Sequence, residues 1–200
     1  DGTTTQRNEP LDITSFFSFG VGESVIDVEA SLSNSYVLTS TGRYFSWGSN
    51  FGGSVGNNST TLVSTVTDHT AFMTLGVNEM LVDIQSNDAT VLAMSNTGNL
   101  YGWGSNYAGA LFTGDNTDRL TNTLLTGAFL LDIGEYFTAF STGDDFSVVA
   151  TSNGKTVSEA PLVAQAMEAV GYRELLDALE SRCSLKEAVE KIKIRTRRYA

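Results

Sequence analysis

Two hundred residues with 41% apolar content suffice for one large all-β domain, or for one domain and an appendage, and exclude a chain that is disordered by composition. A formal charge of −11 argues against nucleic-acid or anionic-membrane binding by the molecule as a whole. That average hides a split, because residues 1–158 carry four Lys/Arg against sixteen Asp/Glu while residues 159–200 carry eight against seven. Cys183 is the single cysteine, so no intrachain disulfide forms and a reducing, cytoplasmic setting is permitted. No run approaches the roughly 18 apolar residues of a membrane span, and no membrane partner is expected. The N-terminus lacks signal-peptide character, but Asp1 falls in mid-repeat, which leaves room for a missing upstream leader and an extracellular setting.

In chain order, a 56-residue period organises residues 1–157. Phe16, Phe17 and Phe19 fall over Phe72, Met73 and Leu75, and the last two fall over Phe129 and Leu131. Glu23, Glu79 and Glu135 are in register and read as repeat-keeping positions rather than an acid/base set. Val25–Val28, Leu81–Ile84 and Phe137–Phe140 predict one short strand per repeat. Ser35–Leu38, Val91–Met94 and Ser147–Ala150 predict a second strand, buried on both faces. Gly42, Gly98 and Gly154 close the following turns, where a tight hairpin needs positive φ. An aromatic strand comes next, ending in Trp47-Gly48-Ser49-Asn50 and Trp103-Gly104-Ser105-Asn106. The indoles are expected to pack between neighbouring sheets, with Gly48 and Gly104 leaving them room. Polar loops at residues 57–61 and 113–117 close the units.

The order Leu38-Thr39-Ser40-Thr41-Gly42-Arg43, Trp47-Gly48-Ser49-Asn50 and a Gly-rich loop resembles the repeat of the regulator of chromosome condensation family. The resemblance implies a β-propeller with four-stranded blades. The repeats are degenerate: Asn34-Ser35 and Thr90-Val91 replace the family's His-Ser, and Gly53-Ser54-Val55-Gly56 and Gly109-Ala110-Leu111-Phe112 replace its Gly-Gln-Leu-Gly.

The third Trp is due at position 159, where the chain has Glu159. From there the pattern turns helical. Ser158 reads as a cap ahead of Pro161, Gly171 interrupts, and Ser184 with Glu187 forms a capping box. The expected fold is therefore mainly β with an α-helical C-terminal tail: two to three antiparallel blades over residues 1–157, then about three short helices over residues 158–200. Ala169–Leu176, Ser184–Ala188 and Lys193–Ala200 resemble the C-terminal part of bacterial tRNA dimethylallyltransferase. That resemblance implies weak tRNA-backbone contact by Lys193, Arg195, Arg197 and Arg198, and carries no catalysis, because residues 1–157 contain no Gly-x-x-x-x-Gly-Lys-Ser/Thr loop.

No catalytic, cofactor or metal residues are assigned. His69, the only histidine, falls over Ile13 and Leu125, a packing or edge position. Asp115, Asn116 and Asp118 lack the twelve-residue calcium-loop pattern and read as a solvated turn, as does Asp144-Asp145. The expected function is a non-catalytic repeat scaffold presenting loops to an unidentified protein partner. The alternatives are a remnant of a tRNA-modifying enzyme and an artificial or misjoined fusion at Ser158.

Overall fold

The computed structural model describes Thr3, residues 8–143 and residues 146–159. Four strands, β1 (Val25–Ala30), β2 (Asn34–Thr39), β3 (Tyr44–Gly48) and β4 (Val63–Asp68), form one sheet in sequence order. β5 (Leu81–Asn87), β6 (Thr90–Ser95), β7 (Leu100–Gly104) and β8 (Arg119–Leu124) form a second sheet in the same way. β9 (Phe137–Thr142), β10 (Ser147–Thr151) and β11 (Thr156–Glu159) form a third. All pairings are antiparallel, and the 56-residue period survives in register: Trp47 opposes Ser35 and Trp103 opposes Val91. Even the bulges repeat, at Val25/Asp27 and Leu81/Asp83 and at Ser46/Gly48 and Gly102/Gly104.

The turn glycines follow the expectation. Gly42, Gly98 and Gly154 have φ of 80°, 81° and 80°, and each donates its N–H to a carbonyl three residues back, that of Thr39, Ser95 or Thr151. The register of the glutamates has an explanation in the same turns. One oxygen of Glu23, Glu79 and Glu135 accepts the main-chain N–H of Gly20, Gly76 and Asp132, each at 2.7 Å. The carboxylates then reach the hairpin of the following strands. Thr41 donates to Glu23, Ser95 and Thr97 to Glu79, and Thr151 to Glu135. The residue after each turn glycine completes the clasp: Arg43 at 3.1 Å, Asn99 at 2.9 Å and Lys155 at 2.8 Å. A carboxylate that ties a loop to a hairpin keeps its place in the repeat for structural reasons.

Apolar layers fill the space between sheets. Tyr36, Leu38 and Tyr44 of the first blade meet Ile84, Val91 and Trp103 of the second. Leu92, Leu100 and Leu111 of the second meet Phe137, Phe140 and Val149 of the third. Tyr44 and Trp103 stack edge to face, 5.6 Å between centroids. The inner edges are also joined, because Asp27 and Glu29 of β1 each accept an N–H of β5, from Ile84 and Ser86, at 2.9 Å. These bonds occupy N–H groups that an edge strand would otherwise expose.

Three expectations need correction or limits. Trp103 is fully buried between sheets, but Trp47 is only half-buried and packs under Phe17 of the N-terminal segment. Gly48 and Gly104 do not make room for the indoles. A Cβ there would lie 2.2 Å from the Ser33 carbonyl or 2.0 Å from that of Ala89, so the glycines admit the neighbouring hairpin, at φ of 136° and 92°. Ser158, expected to cap a helix, pairs with Val148 inside β11. The helices expected beyond it lie outside the described residues, as does the turn at Asp144-Asp145.

Candidate functional site

The loop after each Trp-Gly-Ser-Asn motif is built by its asparagine. Asn50 and Asn106 are fully buried, and each side chain works as a bracket. The Asn50 amide donates to the carbonyls of Ser59 and Thr61, both at 2.9 Å, and its oxygen accepts the N–H of Val55 at 2.9 Å. Asn106 does the same to Asp115 (2.7 Å), Thr117 (3.2 Å) and Leu111 (2.9 Å). Such buried amides satisfy main-chain groups that a loop would leave unpaired.

Next to each bracket stands an aromatic residue turned outward. Phe51 is 69% exposed and Tyr107 is 81% exposed, at equivalent positions of the two repeats. The backbone beside Phe51 is tightly packed. Gly52 is buried so tightly that a Cβ would lie 2.9 Å from the Ser105 nitrogen, and one on Gly53 would lie 2.5 Å from Leu120 Cδ2. The loop of the first blade is thus seated on that of the second. Asn34 Nδ2 adds a cross-blade bond to the Asp88 carbonyl at 3.4 Å, and the Trp103 indole N–H donates to the Ser54 carbonyl at 2.9 Å.

Phe51, Tyr107 and Ser105 line a recess of about 160 Å³ that also takes in Asp88, Ala89, Thr90 and Ala110. The same three residues line a shallower groove that runs on to Asn116, Thr117, Asp118 and Leu120. The electrostatics here are acidic. Among the described residues Arg43, Arg119 and Lys155 are each held in ion pairs, with Glu23 and Asp68, Asp115, and Asp132 and Glu135 respectively. Arg119 chiefly, with the Thr117 N–H, holds the Asp115 carboxyl down at about 2. Asp88 and Asp118 have no cation partner among the described residues; Asp118 Oδ1 accepts the Asn106 N–H at 2.8 Å.

Among the described residues His69 has a structural setting. His69 is 4% exposed, and burial lowers its pKa. Its Nδ1 lies 2.8 Å from the Ser46 hydroxyl, which in turn serves the Val55 carbonyl at 2.8 Å. The neighbouring Asp68 bonds Thr70 and Arg43 rather than the imidazole. Among the described residues no group of three His, Cys, Asp or Glu side chains is placed to hold a metal ion. Lys193, Arg195, Arg197 and Arg198 lie outside the described residues. The expectations covered the Trp and the Gly of the motif, from which Trp47, Gly48 and Gly104 depart, and did not include its Asn and the aromatic that follows. The signal for both was present, since Asn50-Phe51 and Asn106-Tyr107 keep the 56-residue spacing.

The comparisons with known proteins overlap along the chain. Residues 149–200 match the family model of IPP transferase, a match that begins within β10 and so overlaps the third sheet. Human E3 ubiquitin-protein ligase HERC2 is 24% identical over an alignment 189 residues long that covers 90% of this chain and 4% of that protein. The structure of human WBSCR16 superposes with a TM-score of 0.54 at 20% identity, over 67% of this chain and 32% of that one. Prp20p of Saccharomyces cerevisiae superposes at 0.52 with 16% identity, over 67% of this chain and 32% of that one; another structure describes Prp20 as yeast RCC1. The described sheets therefore have the fold of RCC1-type propeller blades, and residues 149–200 are similar to a segment of the IPP transferase family. The chain spans about a third of these propeller structures and a small fraction of HERC2.

Proposed function

We propose that RCC1-type blades serve here as a non-catalytic scaffold, and that the loop face carrying Phe51 and Tyr107 binds a protein partner. The observation that carries this is the pair of outward aromatics at equivalent repeat positions, walling one recess over a backbone locked by Gly52 against Ser105. A single exposed apolar residue needs no explanation, but two sharing one depression make the kind of aromatic patch that anchors interfaces. Prp20p, which shares the fold, is described by its binding to Gsp1p and histones, in keeping with protein partners for such blades. Affinity capture from the source organism with the full chain and with a Phe51→Ser/Tyr107→Ser variant tests the reading. Partners enriched by the parent and lost from the variant are expected; identical captures would overturn it.

A second reading is favoured by the IPP transferase match. In it, the residues after Glu159, where β11 ends, form a helical unit separate from the blades, and Lys193, Arg195, Arg197 and Arg198 touch a tRNA backbone. Four cations meet few phosphates, so the affinity is weak and falls with salt. Failure of unmodified tRNA to bind the full chain at low salt would end this reading.

A further inference from the structure

We infer, on the premise that this face is the interaction surface, that the recess between Phe51 and Tyr107 receives an arginine side chain from an extended basic segment of the partner. Size comes first. At about 160 Å³ the recess is smaller than the ~300 Å³ at which small-molecule sites begin, and comparable to cavities that hold a single ring-sized group. One side chain fits it.

The walls select the kind of side chain. Phe51 and Tyr107 place two exposed aromatic rings beside the recess, and a guanidinium, planar and weakly hydrated, stacks on aromatic rings more readily than a compact, strongly hydrated ammonium. The molecule already uses this contact elsewhere, with the Arg43 guanidinium carbon 4.5 Å from the centroid of Phe45.

The charge selects in the same direction. Asp88 lines the recess and Asp118 the adjoining groove, both without a cation among the described residues, whereas the cations Arg43, Arg119 and Lys155 are spent in ion pairs. An anionic partner would meet uncompensated carboxylates, and a basic one supplies their missing counterions. The loops that carry the walls are held relative to each other by Gly52 against Ser105 and by Trp103 on Ser54. Binding then need not order the loop backbones.

The test titrates the full chain with a labelled unstructured peptide bearing one central arginine among neutral and lysine residues, and with the same peptide carrying citrulline or lysine there. Citrulline keeps the shape and removes the charge. The arginine peptide is expected to bind about tenfold tighter than either, with about tenfold loss in Phe51→Ser or Tyr107→Ser and a smaller loss in Asp88→Asn. Equal binding of arginine and citrulline peptides, both weakened by Phe51→Ser, overturns the arginine assignment and leaves the docking face standing. Equal binding of the arginine peptide to parent and Phe51→Ser, or no binding of any peptide, overturns the inference outright. The chain's own basic residues 191–198 are the competing occupant. If neutralising Lys193, Arg195, Arg197 and Arg198 raises the peptide affinity several-fold, the recess serves that segment and the partner assignment fails.

Discussion

The indole N–H of Trp103 donates to the main-chain carbonyl of Ser54, 2.9 Å away across the boundary between two blades. The equivalent indole, that of Trp47, has no acceptor among the described residues and lies half-buried under Phe17. One motif thus occupies two environments, and its energetic weight differs between them.

Trp103→Phe should destabilise the protein by about 1–3 kcal/mol, because it leaves the buried Ser54 carbonyl without its donor. Trp47→Phe should cost less than about 1 kcal/mol, as expected of a partly exposed position that loses no bond. Urea midpoints of the two variants measure the difference, and equal losses would refute the asymmetry.

The glycines divide in a similar way. Gly98→Ala meets no atom within 4 Å and pays only for a left-handed backbone at φ +81°, about 1–2 kcal/mol. Gly104→Ala adds a contact of 2.0 Å with the Ala89 carbonyl, the acceptor of the Ser105 N–H, and should cost more than about 3 kcal/mol. Thermal unfolding of both variants should separate them by several degrees.

The glutamate clasps predict the acid limb of stability. The Thr39 hydroxyl and the Gly20 N–H hold Glu23 at about 2. Burial raises Glu79, but Ser95, Thr97 and Asn99 outweigh it and hold it at about 2; the Asp132 N–H and Lys155 do so for Glu135. These folded values lie below the ordinary 4.5, so the stabilisation is complete above that pH and is lost as pH falls toward 2. Glu79→Gln should flatten the decline of the urea midpoint between pH 4.5 and 2.5 relative to the parent. An unchanged slope would mean the clasp is not ionised in the way the geometry requires.

Period and residue type made the sheets legible in the sequence, because the counterparts of Gly42 and Glu23 recur in all three repeats and that of Trp47 in the second. What they did not carry was the partner of each group. Gly104 reads as space for an indole until Ala89 is seen behind it, and Trp47 reads like Trp103 until the adjoining blade is counted. Phe51 and Tyr107 escaped for another reason: an aromatic beside a core motif suggests burial, and the outward turn depends on what packs behind the loop, at Phe51 the buried Gly52 and Gly53 against Ser105 and Leu120.

The Asn50 and Asn106 brackets have a consequence for how this surface can change over generations. Each amide grips carbonyls of Ser59 and Thr61, or of Asp115 and Thr117, and a carbonyl is the same in every residue. A substitution at Thr61 or Thr117 leaves its carbonyl in the grip of the amide, whereas Asn57, Thr113 and Asp115 are also held through their side chains, at 3.2, 2.9 and 3.3 Å. Each loop is therefore free to vary at some positions and fixed at others, and the two kinds alternate along it.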